Sequence, residues 1–342
     1  MNIKDCKKLK RQAAGHEGPL TDPNEMLLFK PSTKQEIKFY EDLGNRHATD
    51  NTDDIPLQDW TPTFLGILQE NKEQNKDFDQ ERVIERLNAC SPTSLTSKSQ
   101  TDGNVYLVME NLLHGYVRPN VLDIKLGHVL WDDAASEEKR MRLDEVSKTS
   151  TSGTLGFRIC GMNILKNTNV QELHSKYYKP EDDGYIFVNK YYGRELTASN
   201  VTDAFDLYFG DNNLSLQSRN DLIHMFSKRL QLFYNTLLNE EVRMISSSLL
   251  FIYECDSTRW INFSQEQELI PSHVSYDSDE EGSIKDGQSK ESISGKTELS
   301  RMSIIDFAHT KFTPGLGIDD NVLDGLESLI DIFERLKIKY TI

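Results

Sequence analysis

The stretch Pro119-Asn-Val-Leu-Asp123-Ile-Lys125-Leu-Gly127 decides how this chain is read. Leu122, Ile124 and Leu126 alternate with Asp123 and Lys125, the two-residue period of a strand. That period puts the carboxylate and the ammonium on one face, toward a cleft, and the apolar side chains on the other. Gly127 permits a turn or a close ligand approach at the strand's end. The plainer alternative is an exposed amphipathic strand carrying a local ion pair.

The flanking segments narrow the choice. Upstream, Met26-Leu-Leu-Phe-Lys30-Pro reads as a short apolar strand ending in a lysine. Val105-Tyr-Leu-Val-Met-Glu110 reads as another, with Glu110-Asn-Leu112 as a candidate hinge behind it. Downstream, Ser248–Tyr253 and Met302–Ile305 are apolar strands, and the second ends in Asp306. A strand-end lysine, a hinge, an Asp-x-Lys strand and a late strand-end aspartate, in that order, are the parts of an ATP-dependent kinase.

Phosphoryl transfer needs cations on the phosphates, a carboxylate on the metal and an aligned acceptor hydroxyl. Lys30 suits the first need, with Glu36 placed to orient it, and Asp306 suits Mg²⁺, which prefers oxygen ligands. Taken singly, each has a bland reading: a snorkelling lysine, a strand end, a turn-capping aspartate. Arg158 behind the turn Thr151–Gly156, Lys190 and Arg194 beside a tyrosine pair, and His309 are candidate phosphate contacts. No Gly-x-Gly-x-x-Gly loop and no His-Arg-Asp loop is present, so a protein kinase fits poorly.

The element pattern is α+β, with two lobes and a cleft. An antiparallel, strand-rich N-lobe is expected over 1–112, with loops at 44–59 and 70–103 and a short helix around Glu81–Leu87. Ser32-Thr-Lys-Gln35 starts a helix that turns Ile37, Tyr40 and Leu43 inward. A mixed α/β C-lobe is expected over 113–342, with helices from Ser136 to Lys148, over 217–243, and along the stripe Val322, Leu326, Leu329, Ile330, Phe333. The acidic, Ser- and Gly-rich run 264–299 is expected to be a disordered insertion between two paired strands.

At 342 residues and a net charge of −16, the chain has room for one large or two medium domains. Its acid excess lies mostly in 41–82 and 254–299, which disfavours direct nucleic-acid binding but leaves room for a basic pocket elsewhere. No apolar run approaches the ~18 residues of a transmembrane span. Cys6, Cys90, Cys160 and Cys255 are scattered, as in a reduced cytosolic or nuclear protein.

Pro119-x-x-x-Asp123-x-Lys125-x-Gly127 resembles the signature of the inositol polyphosphate kinases. Ser247-Ser248-Leu249-Leu250 and Ile305-Asp306-Phe307-Ala308-His309 resemble that family's other two blocks. The resemblance runs from Ala13-Ala-Gly-His16 through the last helix and is nearest to the fungal multikinase branch. It implies a fold distantly similar to protein kinases, with ATP in the cleft. It also implies Mg²⁺–ATP-dependent phosphorylation of inositol 1,4,5-trisphosphate to tetrakis- and pentakisphosphates.

Carried over by motif, Lys30 would hold ATP phosphates, and Glu110 and Leu112 would meet adenine through backbone groups. Asp123 would contact the ribose, Lys125 would bridge transferred phosphate and inositol, and Asp306, supported by Ser248, would hold the metal. Arg158, Lys190 and His309 would contact the substrate. The short stretch from Gly127 to Arg158 leaves no space for a large lid, as befits an open, tolerant pocket. Fungal relatives further imply nuclear and cytoplasmic residence and transcription-factor partners. The competing readings are a non-catalytic scaffold, which intact Lys30, Asp123, Lys125 and Asp306 oppose, and a narrower inositol trisphosphate kinase.

Overall fold

The computed structural model describes residues 3–14, 18–46, 55–69, 105–210, 213–263, 267–270 and 298–341. Strands β1 (Lys7–Lys8), β2 (Leu20–Thr21), β3 (Leu27–Pro31), β4 (Phe64–Gln69) and β5 (Val105–Glu110) form an antiparallel sheet in the order β1-β2-β3-β5-β4. Helix α1 (Lys34–Arg46) leaves β3 through Thr33, whose hydroxyl accepts from the Glu36 N–H at 3.2 Å. Its buried face is Glu36, Phe39, Tyr40 and Leu43. Phe39 thus takes the place expected for Ile37, because its ring stacks 4.5 Å from Phe307 and 5.0 Å from Phe312.

The second sheet comprises β6 (Pro119–Leu126), β7 (Phe157–Leu165), β8 (Tyr178–Pro180), β9 (Tyr185–Val188), β11 (Ser248–Glu254) and β12 (Ser300–Ile305). Its order is β12-β11-β6-β7-β9-β8, and every pairing is antiparallel. A separate ribbon pairs β10 (Val242–Met244) with β13 (Thr310–Phe312). Helices α2 (Glu137–Lys148) and α3 (Thr151–Leu155) fill the link from β6 to β7. Then come α4 (Lys190–Glu195), α5 (Thr202–Phe209), α6 (Leu216–Leu238), α7 (Ser257–Asn262) and α8 (Asp320–Tyr340).

Helices α6 and α8 cover the six-stranded sheet through Phe226 and Phe333, whose rings lie 5.1 and 5.8 Å from Phe251 of β11. Truncating one such ring to alanine costs about 3–5 kcal/mol. These helices cover the Leu122, Ile124 and Leu126 face of β6, and on the other face Val121 packs with Ala13, Leu112 and Ile252, so only Lys125 is partly open to solvent. Asp123 and Lys125 share that second face, as expected, and Asp123 is buried there. Gly161 of β7 lies where a Cβ would meet the Ala13 carbonyl oxygen at 2.1 Å, so the N-terminal segment can cross the sheet only over glycine.

Two expected loops are corrected in part. In 44–59, α1 runs on to Arg46, and Leu57–Trp60 is a buried 3₁₀ turn. The Trp60 indole donates to Thr236 Oγ1 at 3.0 Å and packs on Phe233, which anchors the turn to α6. In 264–299, residues 267–270 and 298–299 belong to the fold. Buried Arg229 donates to the carbonyls of Leu269 and Glu268 at 2.8 Å each, and Leu299 is buried. A buried guanidinium needs that many acceptors. The segment 70–103, with its expected helix, lies outside the described residues, as do 271–297. The helix expected over 217–243 stops at Leu238, before β10.

Candidate active site

Strands β6, β11 and β12 meet at one end of the sheet, with Ser248 opposite both Lys125 and Ile305. At that end each passes through a left-handed residue: Gly127 (φ 99°), Ser246 (φ 61°) and Asp306 (φ 67°). Such angles are uncommon outside glycine and gather at functional sites. The turn at Asp306 presents its carboxylate to the first lobe. There Lys30 Nζ donates to Asp306 Oδ1 and to Glu36 Oε1, both at 2.6 Å.

Glu36, 2 % exposed, also accepts from Ser32 Oγ at 2.6 Å and from the Phe307 N–H at 3.0 Å. A strand and a helix of one lobe thus grip a strand end of the other through two carboxylates and an ammonium. Burial pulls the Lys30 pKa down, but the charges of Asp306 and Glu36 outweigh it and leave the net shift upward. Lys30 is therefore cationic at neutral pH.

Beside the trio, Asp123 is 5 % exposed, and its Oδ1 has no hydrogen-bond partner among the described residues. Burial pushes its carboxyl up to about 6; Asp306 adds to the rise, while Lys125, Ser248 and Arg158 oppose it. The Ser248 hydroxyl is buried beside it. Lys125 Nζ donates to the Ser246 carbonyl. Arg158 lies opposite Lys125 in the β6–β7 ladder and donates from Nη1 to Ser152 Oγ at 3.1 Å. Asp123, Lys125, Arg158, Ser248, Lys30 and Asp306 thus share one electrostatic neighbourhood.

His309 and Lys190 make contacts of their own. His309 Nδ1 lies 2.7 Å from Asp132 Oδ2. Burial raises the Asp132 carboxyl, yet the hydrogen bond and charge of His309 prevail and hold it below its usual range. Lys190 opens α4 at the surface, 5.9 Å from the Tyr191 ring.

At the lobe junction Glu110 Oε1 accepts from the Thr63 N–H at 2.9 Å and from Arg301 Nη2 at 2.6 Å. Asn111 is fixed by its N–H to the Met26 carbonyl at 2.8 Å and by its Oδ1 to the Leu113 N–H at 3.1 Å. The Leu112 N–H alone in this stretch has no partner among the described residues, leaving a free donor on a rigid hinge. Sequence reasoning missed Arg301, Ser246 and Asp132. Arg301 gave no local signal, since its partner is 191 positions away.

Hard oxygen donors suit a divalent ion here: Asp306, whose side chain is 37 % exposed, and the buried Asp123 and Ser248 oxygens. Among the described residues no group of three or more His, Cys, Asp or Glu is arranged to hold a metal. An ion of the Mg²⁺ type, bound by one or two carboxylates plus phosphates, needs no such cage. The hollow lined by Glu172, Asp203, Asp206 and Tyr340 includes none of these residues, and its three carboxylates would repel a polyanion.

Two sheets joined at a hinge, with a lysine held between two carboxylates across the cleft, define a kinase-type phosphotransferase. The inositol polyphosphate kinase family model matches residues 106–334, and the chain belongs to that family. It is 46% identical to the inositol polyphosphate multikinase of Saccharomyces cerevisiae, over 97% of this chain and 99% of that one. The multikinase of Schizosaccharomyces pombe is 30% identical over 95% of this chain and 96% of its own. A crystal structure of the S. cerevisiae multikinase Ipk2 in complex with ADP and Mn²⁺ aligns with a TM-score of 0.70 and 43% identity, over 91% of this chain and 99% of that one. A second multikinase structure, at 18% identity and a TM-score of 0.51, shares the fold. The protein is an inositol phosphate kinase with an α+β kinase-like fold. Among the described residues no helix is long and apolar enough to cross a membrane.

Proposed function

We propose that this kinase is a multikinase, transferring the γ-phosphoryl group of Mg²⁺–ATP to inositol 1,4,5-trisphosphate and then to the tetrakisphosphate formed. The observation that carries the reading is the Lys30–Glu36–Asp306 trio beside a buried Asp123 whose Oδ1 has no hydrogen-bond partner among the described residues. The multikinase relative bound to ADP and Mn²⁺ supports nucleotide and divalent-metal use.

In this reading the Leu112 N–H and the Glu110 carbonyl take the adenine edge, and Asp123 takes the ribose. Lys30 neutralises nucleotide phosphate, and Asp306, with Ser248 beside it, holds the metal. Mg²⁺, when bound, supplies charge neutralisation on the β- and γ-phosphate oxygens. Lys125 bridges the moving phosphoryl group and the inositol, and Arg158 takes a second substrate phosphate. His309 joins them from its place beside Asp132, and Lys190 reaches the substrate from the rim. Charge and alignment carry the rate, so no side chain is assigned as general base. Nuclear and cytoplasmic residence with transcription-factor partners rests on the family resemblance, and fractionation with co-purification tests it.

Chromatography of products from inositol 1,4,5-trisphosphate and Mg²⁺–ATP, beside Asp306→Asn, tests the activity. Tetrakis- and then pentakisphosphate from the wild type alone supports a multikinase. A stop at tetrakisphosphate means a narrower kinase. No product with nucleotide still bound means a scaffold.

A further inference from the structure

Ser246 precedes the Ser247–Leu250 block and has no role in the scheme above, yet its backbone is left-handed at φ 61°. The ladder between β6 and β11 is still intact one residue later, where the Leu126 N–H donates to the Ser247 carbonyl at 3.0 Å. At Ser246 the chain turns out of the sheet, and its carbonyl accepts from Lys125 Nζ. The Ser246 hydroxyl donates to the Leu130 carbonyl at 3.0 Å, tying the turn to the loop behind Gly127. Ser247 Oγ donates to the Asp306 carbonyl at 3.0 Å and lies 3.2 Å from Thr310 Oγ1. One dipeptide therefore holds the Lys125 ammonium on one side and the Asp306 backbone on the other.

We propose that Ser246 is a positioning residue for phosphoryl transfer, its left-handed backbone aiming a carbonyl that fixes the Lys125 ammonium relative to Asp306. This deepens the assignment of Lys125 made above and rests on it. A lysine has a flexible four-carbon stem, and holding it in one geometry before the substrate arrives removes an ordering cost from the reaction. The choice of acceptor matters. A carboxylate would neutralise the ammonium, whereas a carbonyl orients it and leaves its charge for the phosphate. An ammonium has three donors, so one bond to the backbone leaves two for nucleotide and inositol phosphate.

The proposal separates the backbone of Ser246 from its hydroxyl. Glycine and asparagine visit the left-handed region readily, alanine less so, and valine resists it. Ser246→Gly and Ser246→Asn are expected to keep kcat within roughly threefold of wild type although neither keeps the hydroxyl. Ser246→Val is expected to lose about 30- to 100-fold in kcat with KM for ATP nearly unchanged. Should Ser246→Val fail to fold, Ser246→Ala carries the test, with a smaller loss of the same kind.

A wild-type kcat in the valine variant, or in the alanine variant standing in for it, overturns the proposal. So does activity that follows the hydroxyl, with Ser246→Thr active and Ser246→Gly dead. A loss spread equally over kcat, nucleotide affinity and melting temperature would mean a merely structural turn. Lys125→Ala, measured alongside, separates the two levels. If it retains transfer, the assignment of Lys125 falls. If it is inactive while Ser246→Val is normal, only the positioning role falls.

Discussion

Asp123 and Glu254 sit in neighbouring strands of one sheet, and both are buried, at 5 % and 0 % exposure. The chain treats them in opposite ways. Glu254 accepts from the backbone N–H groups of Val117, Arg118 and Asp256 at 2.7, 2.8 and 3.0 Å, and Arg259 Nη1 lies 2.9 Å away. Asp123 Oδ1 has no partner among the described residues. Burying a carboxylate without donors is costly, so the first arrangement stabilises the fold and the second is tolerated against it. The backbone makes the same distinction. At the Glu254 end the ladder runs on, from the Glu254 N–H to the Leu299 carbonyl and from the Cys255 N–H to the Arg118 carbonyl. At the other end Gly127, Ser246 and Asp306 all leave in left-handed turns.

The contrast is broken most directly by exchanging effects between the two ends. Asp306→Asn is expected to lower kcat at least ~10³-fold, about 4 kcal/mol of transition-state stabilisation, with the melting temperature close to wild type. Product formation and a thermal melt on the same sample check it, and turnover near wild type removes Asp306 from the metal. Lys125→Ala should fall as far. Glu254→Ala should do the reverse. Three N–H groups and a guanidinium lose their acceptor, a destabilisation of about 3–5 kcal/mol by denaturant titration, while kcat of the folded protein stays put. If kcat falls instead, the end assigned to stability is also part of the site.

Asp123→Asn sharpens the comparison through pH. The Asp123 carboxyl is raised to about 6 in the fold, chiefly by burial. A raised folded-state value favours folding while the group is protonated, and that advantage is lost as pH rises through about 6. Metal- and nucleotide-free Asp123→Asn is therefore expected to be more stable than wild type at pH 7–8, on the order of 2 kcal/mol. The gap should close toward pH 4, where both side chains are neutral, and the variant should transfer little phosphate. A variant no more stable at pH 8 than wild type would show that Asp123 is well solvated or paired, against the contrast drawn here.

How much of this was legible in the sequence follows from the range of the forces involved. Strands β6, β11 and β12 were readable because burial leaves an apolar period in consecutive residues, and the Asp-x-Lys pair stands out against it. Lys30 and Asp306 were readable as strand ends, but the hydrogen bond between them joins positions 276 apart, beyond any local pattern. That Ala13 and Leu112 pack over the Val121 and Asp123 face of β6 was not legible, because neither belongs to the strand's own period. Leu57 was placed in a loop since a turn this short, with two buried side chains, has no period; its anchor, the Trp60 bond to Thr236, reaches α6. Ser246 was invisible for a different reason: a left-handed serine is a backbone state, and composition does not encode it.

The smallest expected effect concerns a third kind of buried charge, one that joins the two sheets. Arg301 of β12 reaches Glu110 of β5 at 2.6 Å, and Glu110 also accepts from the Thr63 N–H at 2.9 Å. This pair is satisfied like Glu254 yet stands at the hinge, beside the free Leu112 N–H, so it tests whether satisfied charges are purely structural. Arg301→Gln keeps a neutral donor but loses the two-nitrogen grip, which fixes the tilt of the hinge strand less firmly. KM for ATP is expected to rise by roughly three- to tenfold, about 1 kcal/mol, with kcat within twofold. A change in melting temperature alone would place Arg301 with Glu254. A rise in KM with little change in melting temperature would extend the functional end of the molecule from the strand ends to the hinge.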